Sequence, residues 1–118
     1  MNKVAIIVLA GTEGSGDLGR VVNALEAVKE FKEAGDEVRL IFDGAGTQWI
    51  PELARAEHRY HPLFDAVSDR IAGACRYCAQ AFGVKEAVEG CAVPLLGEFE
   101  GHPSFRQLVT EGFQVITF

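Results

Sequence analysis

The sequence predicts a three-layer α/β/α sandwich around a mostly parallel sheet of about five strands. Three observations carry this. The run Val4-Ala5-Ile6-Ile7-Val8-Leu9 is continuously apolar and rich in β-branched residues, the pattern of a strand covered on both faces. Leu18, Val21, Val22, Leu25, Val28 and Phe31 then recur at helical spacing, with Glu26, Lys29, Glu30 and Lys32 between them. Strand-like and helix-like segments go on alternating to the C-terminus, which calls for right-handed crossovers and a parallel sheet with helices on both faces.

The elements follow in order. A Gly-rich turn, Gly11 to Gly16, separates the first strand from the first helix, and Gly35 suits that helix's C-terminal cap. Val38 to Phe42 reads as the second strand, closed by Asp43-Gly44-Ala45-Gly46. A helix is expected from Gln48 to Arg59, with Pro51 tolerated in its first turn, and a short helical turn from Pro62 to Val67. Arg70-Ile71-Ala72-Gly73-Ala74 is a weaker third strand because its small residues have low strand propensity. Its neighbours argue for it: polar Ser68-Asp69 before, and a helical Cys78 to Phe82 pattern after. Ala92 to Leu96 reads as a fourth strand, which Pro94 assigns to an edge or a bulge. Pro103 opens a last helix bearing Phe105, Leu108 and Val109, stopped by Gly112, and Gln114 to Phe118 reads as the final strand.

The bulk numbers fit one domain over residues 1–118. Such a chain buries roughly two-thirds of its unfolded surface, enough for a core without staples. Apolar residues make up 48% and charged residues 24%, which excludes the disordered class. The net charge of -6 argues against a broad basic face for nucleic acid or an anionic membrane, and no apolar run reaches membrane-span length. The N-terminal apolar run reads as a strand, not a targeting segment. With three cysteines and no export pattern, a reducing cytoplasm is expected in preference to a disulfide framework.

In a parallel sheet the loops after the strands share one rim, where ligands bind. Gly11 and Thr12 of the first loop and Asp43 and Gly44 of the second are candidate ligand-binding residues, together with Arg76 after the third strand. The first loop lacks a P-loop lysine and a dinucleotide fingerprint, and Glu13 and Asp17 would repel phosphate. Its plainer reading is a turn with Ser15 or Asp17 capping the helix. The second loop is turn chemistry whose rim carboxylate, Asp43, could orient a ligand or a thiol.

The cysteines are the candidate chemical centre. In Ala74-Cys75-Arg76-Tyr77-Cys78, Cys75 stands where strand gives way to helix. A helix N-terminus stabilises thiolate and lowers a thiol pKa from about 8.5, and Arg76 adds positive potential, so an activated Cys75 is expected. Cys78, three residues on, suits a resolving thiol or a disulfide partner. Cys75 and Cys78 are therefore the candidate catalytic pair. Two other readings compete: small apolar core residues, or half of a zinc site. No second half is visible, because Cys91 stands alone and reads as core, while His58, His61 and His102 show no paired spacing. No metal and no cofactor is therefore expected. His58 and His61 read as surface residues flanking Tyr60. His102 reads as the residue that opens the last helix, although with Glu98 and Glu100 it could line the rim. Trp49 reads as packing, although just after a rim loop it could instead contact a ligand or a neighbouring subunit.

The run Arg70-Ile71-Ala72-Gly73-Ala74-Cys75, then six mixed residues, Phe82 and Gly83, resembles the small DsrE-like proteins of sulfur relay (the DsrE, DsrF and TusD type). The second strand ending in Phe42-Asp43-Gly44 and the apolar C-terminal strand fit the same family, and the resemblance spans essentially the whole chain. It implies a parallel α/β sandwich assembled as an oligomer, with a cysteine after the third strand carrying sulfur as a persulfide between partner proteins. Only Cys75 matches that cysteine. Phe82 stands where many relatives carry an Arg, and Cys78 and the Gly-rich first loop are further departures.

The expectation is a cytoplasmic sulfur-handling protein, a sulfurtransferase or persulfide carrier, that meets a sulfur donor or acceptor protein and forms a homo-oligomer. A module binding a small anion, flavin or nucleotide, and a structural oligomer subunit without catalysis, are the alternatives.

Overall fold

The strand β1 (Lys3–Val8) is the spine of the sheet, because its side chains are buried on both sides. The computed structural model describes residues 1–118. Val4, Ile6 and Val8 face one layer, Ala5 and Ile7 the other, which is what a continuous apolar run at period two requires. β2 (Glu37–Phe42) and β5 (Gln114–Thr117) flank β1; β3 (Ile71–Cys75) and β4 (Leu95–Leu96) continue beyond β2. The order is β4-β3-β2-β1-β5, and every pairing is parallel.

The helix α1 (Ser15–Glu33) buries Val21, Ala24, Leu25 and Val28 against the even-numbered face of β1 and against Val38, Leu40 and Phe42. Each fully buried Val or Leu contributes about 1.5–3 kcal/mol relative to exposure. Asp17 caps the helix from its third position, accepting a hydrogen bond from the Gly14 amide at 3.2 Å. Gly35 ends it at φ 83°, with Asp36 N donating to Phe31 O and Gly35 N to Lys32 O. That pair of bonds is the Schellman closure.

The same layer contains α2 (Trp49–Leu53), α3 (His61–Val67) and α5 (Lys85–Gly90), through Trp49, Ile50, Leu53, Phe64, Val67 and Val88. α4 (Arg76–Ala81) follows β3 directly, and α6 (Phe105–Thr110) covers the opposite face, where Leu108 and Phe113 meet Ala5, Ile7 and Ile41. No helix is long and apolar enough to cross a membrane.

Four expectations shift, and one helix, α5, is unexpected. The last helix does not open at Pro103: it begins at Phe105, because Ser104 is its N-cap and accepts from Gln107 N at 3.1 Å. The helix expected to reach Arg59 stops at Leu53, after a 3₁₀ turn over Gly44–Gln48. One cause is visible: the ring Nδ1 of His61 lies 2.7 Å from the Leu53 carbonyl and occupies the oxygen that a continuing helix would use. The third strand is displaced by one residue, so Cys75 ends it. The fourth shrinks to Leu95–Leu96, because Ala92 turns at φ 60° and Pro94 pairs only through its carbonyl, accepting from Ala74 N at 2.9 Å. α5, with Val88 as its one buried residue, has no apolar stripe that spacing reveals.

Gly73 explains the small residues of β3. A Cβ there would lie 2.6 Å from Pro94 O and 2.7 Å from the Leu96 side chain, so glycine lets β4 approach. β3 leads into α4 and α5 on the α1 side, while β4 leads into α6 on the other. Neighbouring strands that send their connections to opposite faces open a crevice at their carboxyl ends, and ligands favour such a point.

The loop after β2 is as tight. A Cβ on Gly46 would collide with the Val8 carbonyl, whereas around Gly19 there is open space. Gly46→Ala should therefore cost about 1–3 kcal/mol or more, while Gly19→Ala, within α1, should stabilise by about 0.5–1 kcal/mol. Urea unfolding midpoints of the two variants check both signs.

Candidate functional site

Three segments converge at the β3/β4 crevice. The parallel register pairs Phe42 with Ala74, so the next residues along, Asp43 and Cys75, emerge side by side at the rim. Asp43 is 7% exposed and accepts a hydrogen bond from Gly44 N at 2.8 Å, which orients its carboxylate. Cys75 is fully buried and is the N-cap of α4: its Sγ accepts from the Cys78 amide at 3.3 Å. Cys78 is half-buried in the first turn.

The third segment follows β4. Phe99 and His102 exchange two main-chain hydrogen bonds, Phe99 N to His102 O at 2.9 Å and His102 N to Phe99 O at 2.8 Å. Glu100 at φ 52° and Gly101 at φ 87° form the turn between them, as the primed hairpin turns require. Tyr77 N donates to Gly101 O at 3.0 Å and ties this turn to α4. The Tyr77 ring lies against the His102 ring with centroids 4.8 Å apart. His102 Nδ1 is thereby held 3.3 Å from Cys75 Sγ, and Gly101 O lies 3.8 Å from the same sulfur. One ligand-type atom from each of Asp43, Cys75, Cys78 and His102 lies within 4.8 Å of the others.

The electrostatics reverse one expectation. The Cys78 amide does favour thiolate, but burial outweighs it and, with Cys78 and the Asp43 carboxylate alongside, pushes the Cys75 thiol from 9.0 up to about 12. α4 has only six residues, so little helix dipole offsets the desolvation.

The remaining candidates divide. Asp43 and Gly44 belong to the site. Gly11 and Thr12 do not reach it: Gly11 packs on Ala45, and Thr12 lines a separate depression with Glu13, Trp49, Glu52 and His58. The exposed Arg76 lays its guanidinium over Gly97 and near Gly101, supporting the turn from outside. Trp49 packs as expected, its indole N–H donating to Ala10 O at 2.9 Å. His58 accepts from Tyr60 N. His102 is the site residue that sequence spacing missed, since 27 residues separate it from Cys75.

The fold is thus a parallel α/β domain that brings two thiols, a carboxylate and an imidazole together at its strand-crossing crevice. The chain belongs to the DsrE/DsrF-like family, whose model matches residues 2–118. It is 31% identical over 96 residues to the uncharacterized protein MJ0733 of Methanocaldococcus jannaschii, a match covering 81% of this chain and 78% of that one. Among solved structures, the fold is shared with a conserved protein of unknown function, BT1422, from Bacteroides thetaiotaomicron (TM-score 0.62, 12% identity, 97% of this chain and 94% of that one). It is also shared with the ychN protein from E. coli (TM-score 0.60, 16% identity, both chains covered in full).

Burial and the raised pKa set the reactivity of Cys75. With chelator present, Cys75 should alkylate at least about tenfold more slowly than a free thiol at neutral pH, and its rate should still be climbing beyond about pH 10, where an ordinary thiol has levelled off. Peptide mapping after iodoacetamide labelling, native against denatured, reads this. The sign for stability follows: the unfolded thiol ionises near its ordinary value and the folded one near 12, so this contribution is present at neutral pH and is lost as pH rises from about 9 to about 12.

Proposed function

We propose that this protein carries sulfur as a persulfide on Cys75, in exchange with partner proteins that donate and accept it. The observation that supports this most is the setting of Cys75 Sγ, fully buried, with the Cys78 amide and His102 Nδ1 each at 3.3 Å and a second thiol beside it. Family membership supports a function of the sulfur-relay type.

The chemistry balances as follows. The Cys75 proton passes along the contact to His102, and the thiolate attacks the outer sulfur of a donor persulfide. The donor's S–S bond breaks, its thiolate leaves, and Cys75–S–SH remains. An acceptor thiolate then takes the outer sulfur and regenerates the Cys75 thiolate. Alternatively, Cys78 thiolate attacks the inner sulfur, releasing hydrosulfide and leaving a Cys75–Cys78 disulfide. The Cys78 amide stabilises the sulfur anion at both stages.

Access to the buried sulfur runs through the Phe99–His102 turn. Beside it lies a groove of about 640 Å³ lined by Asp43, Phe99, His102, Pro103, Phe105 and Arg106. Phe99 and Phe105 are 63% and 44% exposed, apolar surface that suits a docking partner or a second copy of the chain in a homo-oligomer. The cytoplasm, where thiols stay reduced, is the compartment in which this exchange operates.

Incubation with a persulfide donor followed by intact mass measurement tests the reading. The expected gain is about 32 Da, one sulfur atom, abolished by Cys75→Ser. In Cys78→Ser the gain should persist while sulfide release stops. No gain, or an equal gain in Cys75→Ser, would refute the proposal.

A further inference from the structure

We propose that Asp43, Cys75, Cys78 and His102 together form a four-coordinate site for a divalent transition cation, with zinc the best match. The inference uses the same two thiols as sulfur transfer but stands whether or not Cys75 carries sulfur.

Geometry comes first. Zinc–sulfur and zinc–nitrogen bonds of about 2.3 and 2.0 Å imply tetrahedral edges of roughly 3.3–3.8 Å between ligand atoms. Cys75 Sγ and His102 Nδ1 are already 3.3 Å apart, and all four donor atoms lie within 4.8 Å of one another. Closing the remainder needs side-chain adjustments of about an ångström, with the backbone left in place.

Donor chemistry selects the ion. Two thiols and an imidazole are wrong for magnesium or calcium, which prefer oxygen, and suit zinc and its neighbours. The backbone pre-organises each donor: Gly44 N fixes Asp43, the β3–α4 junction fixes both cysteines, and the turn pinned by Tyr77 fixes His102. Cys-x-x-Cys supplies one half-site, and the topology supplies the other from the loops after β2 and β4, which is why no paired spacing betrays it.

A second observation points to a cation independently. Asp43 is a carboxylate more than nine-tenths buried, it makes no salt bridge, and it faces two thiols. Buried negative charge is retained when paired or bound to a metal. Binding M²⁺ to the two thiols and Asp43 expels two protons, and with neutral His102 the site keeps the net charge of -1 that the Asp43 carboxylate gives it, now with a cation at its centre.

The test uses the full chain, stripped with chelator and kept reduced, titrated with cobalt(II) and then zinc(II). One equivalent of cobalt should give visible d–d absorption of four-coordinate intensity and a near-ultraviolet thiolate-to-cobalt band, and zinc should displace it. His102→Ala and Cys78→Ser should each weaken binding by at least about tenfold, and Cys78→Ser should also lose part of the charge-transfer intensity. Cys91→Ser should change neither. Absence of a thiolate-to-cobalt band in the wild-type chain overturns the proposal without needing any variant. Unaltered affinity in His102→Ala, with the fold checked by circular dichroism, overturns it too. A persulfide mass gain without cobalt binding would remove the metal site alone; cobalt binding without the gain would remove the carrier reading alone.

Discussion

The parallel register between β2 and β3 is the constraint on which the site depends. Because Phe42 lies opposite Ala74, the two chains leave the sheet at the same level, and a carboxylate and a thiol become neighbours. Neither side chain chooses that arrangement. It is imposed by main-chain hydrogen bonds in the sheet and by the register shift between Leu40 and Ile41, where Ala72 stands as an extra residue of β3 and brings Phe42 level with Ala74. Gly73 adds the second half of the constraint by admitting β4, so that the chain leaving Leu96 passes over Cys75 and not away from it.

At Cys75 two familiar effects oppose each other, and their magnitudes decide the outcome. One amide donating to sulfur favours the anion, but at 3.3 Å it is a single bond at the head of a six-residue helix. Withdrawal from water and a neighbouring carboxylate act the other way, and they win. The result is a protected thiol at rest, reactive only when something changes its surroundings: a partner that moves the covering turn, a base that takes the proton, or a cation that compensates the charge.

The sequence made much of this visible. β1 and α1 could be read because the apolar period of each is unbroken, and Cys75 could be placed because a strand followed by a helical pattern brackets it. Asp43 was foreseeable as a rim carboxylate. His102 was foreseeable only as a residue that could line the rim, not as the neighbour of Cys75, since that proximity depends on which strand lies beside β3, and no local spacing encodes strand order. The expectation of an activated thiol failed for a related reason: a sequence locates a helix end, but only packing says how much water reaches it. α5 and the early stop of α2 escaped because one buried valine and one histidine-to-carbonyl contact leave no periodic trace.

The turn over the sulfur has an unusual composition for its geometry. Glu100 sits at φ 52°, a conformation that glycine or asparagine holds at little cost and glutamate at roughly 1–2 kcal/mol. Two cross-turn hydrogen bonds and the tie to Tyr77 hold it there. The cover over Cys75 is thus a four-residue turn that holds local backbone strain directly above the one fully buried thiol, offset by the three main-chain hydrogen bonds that close it.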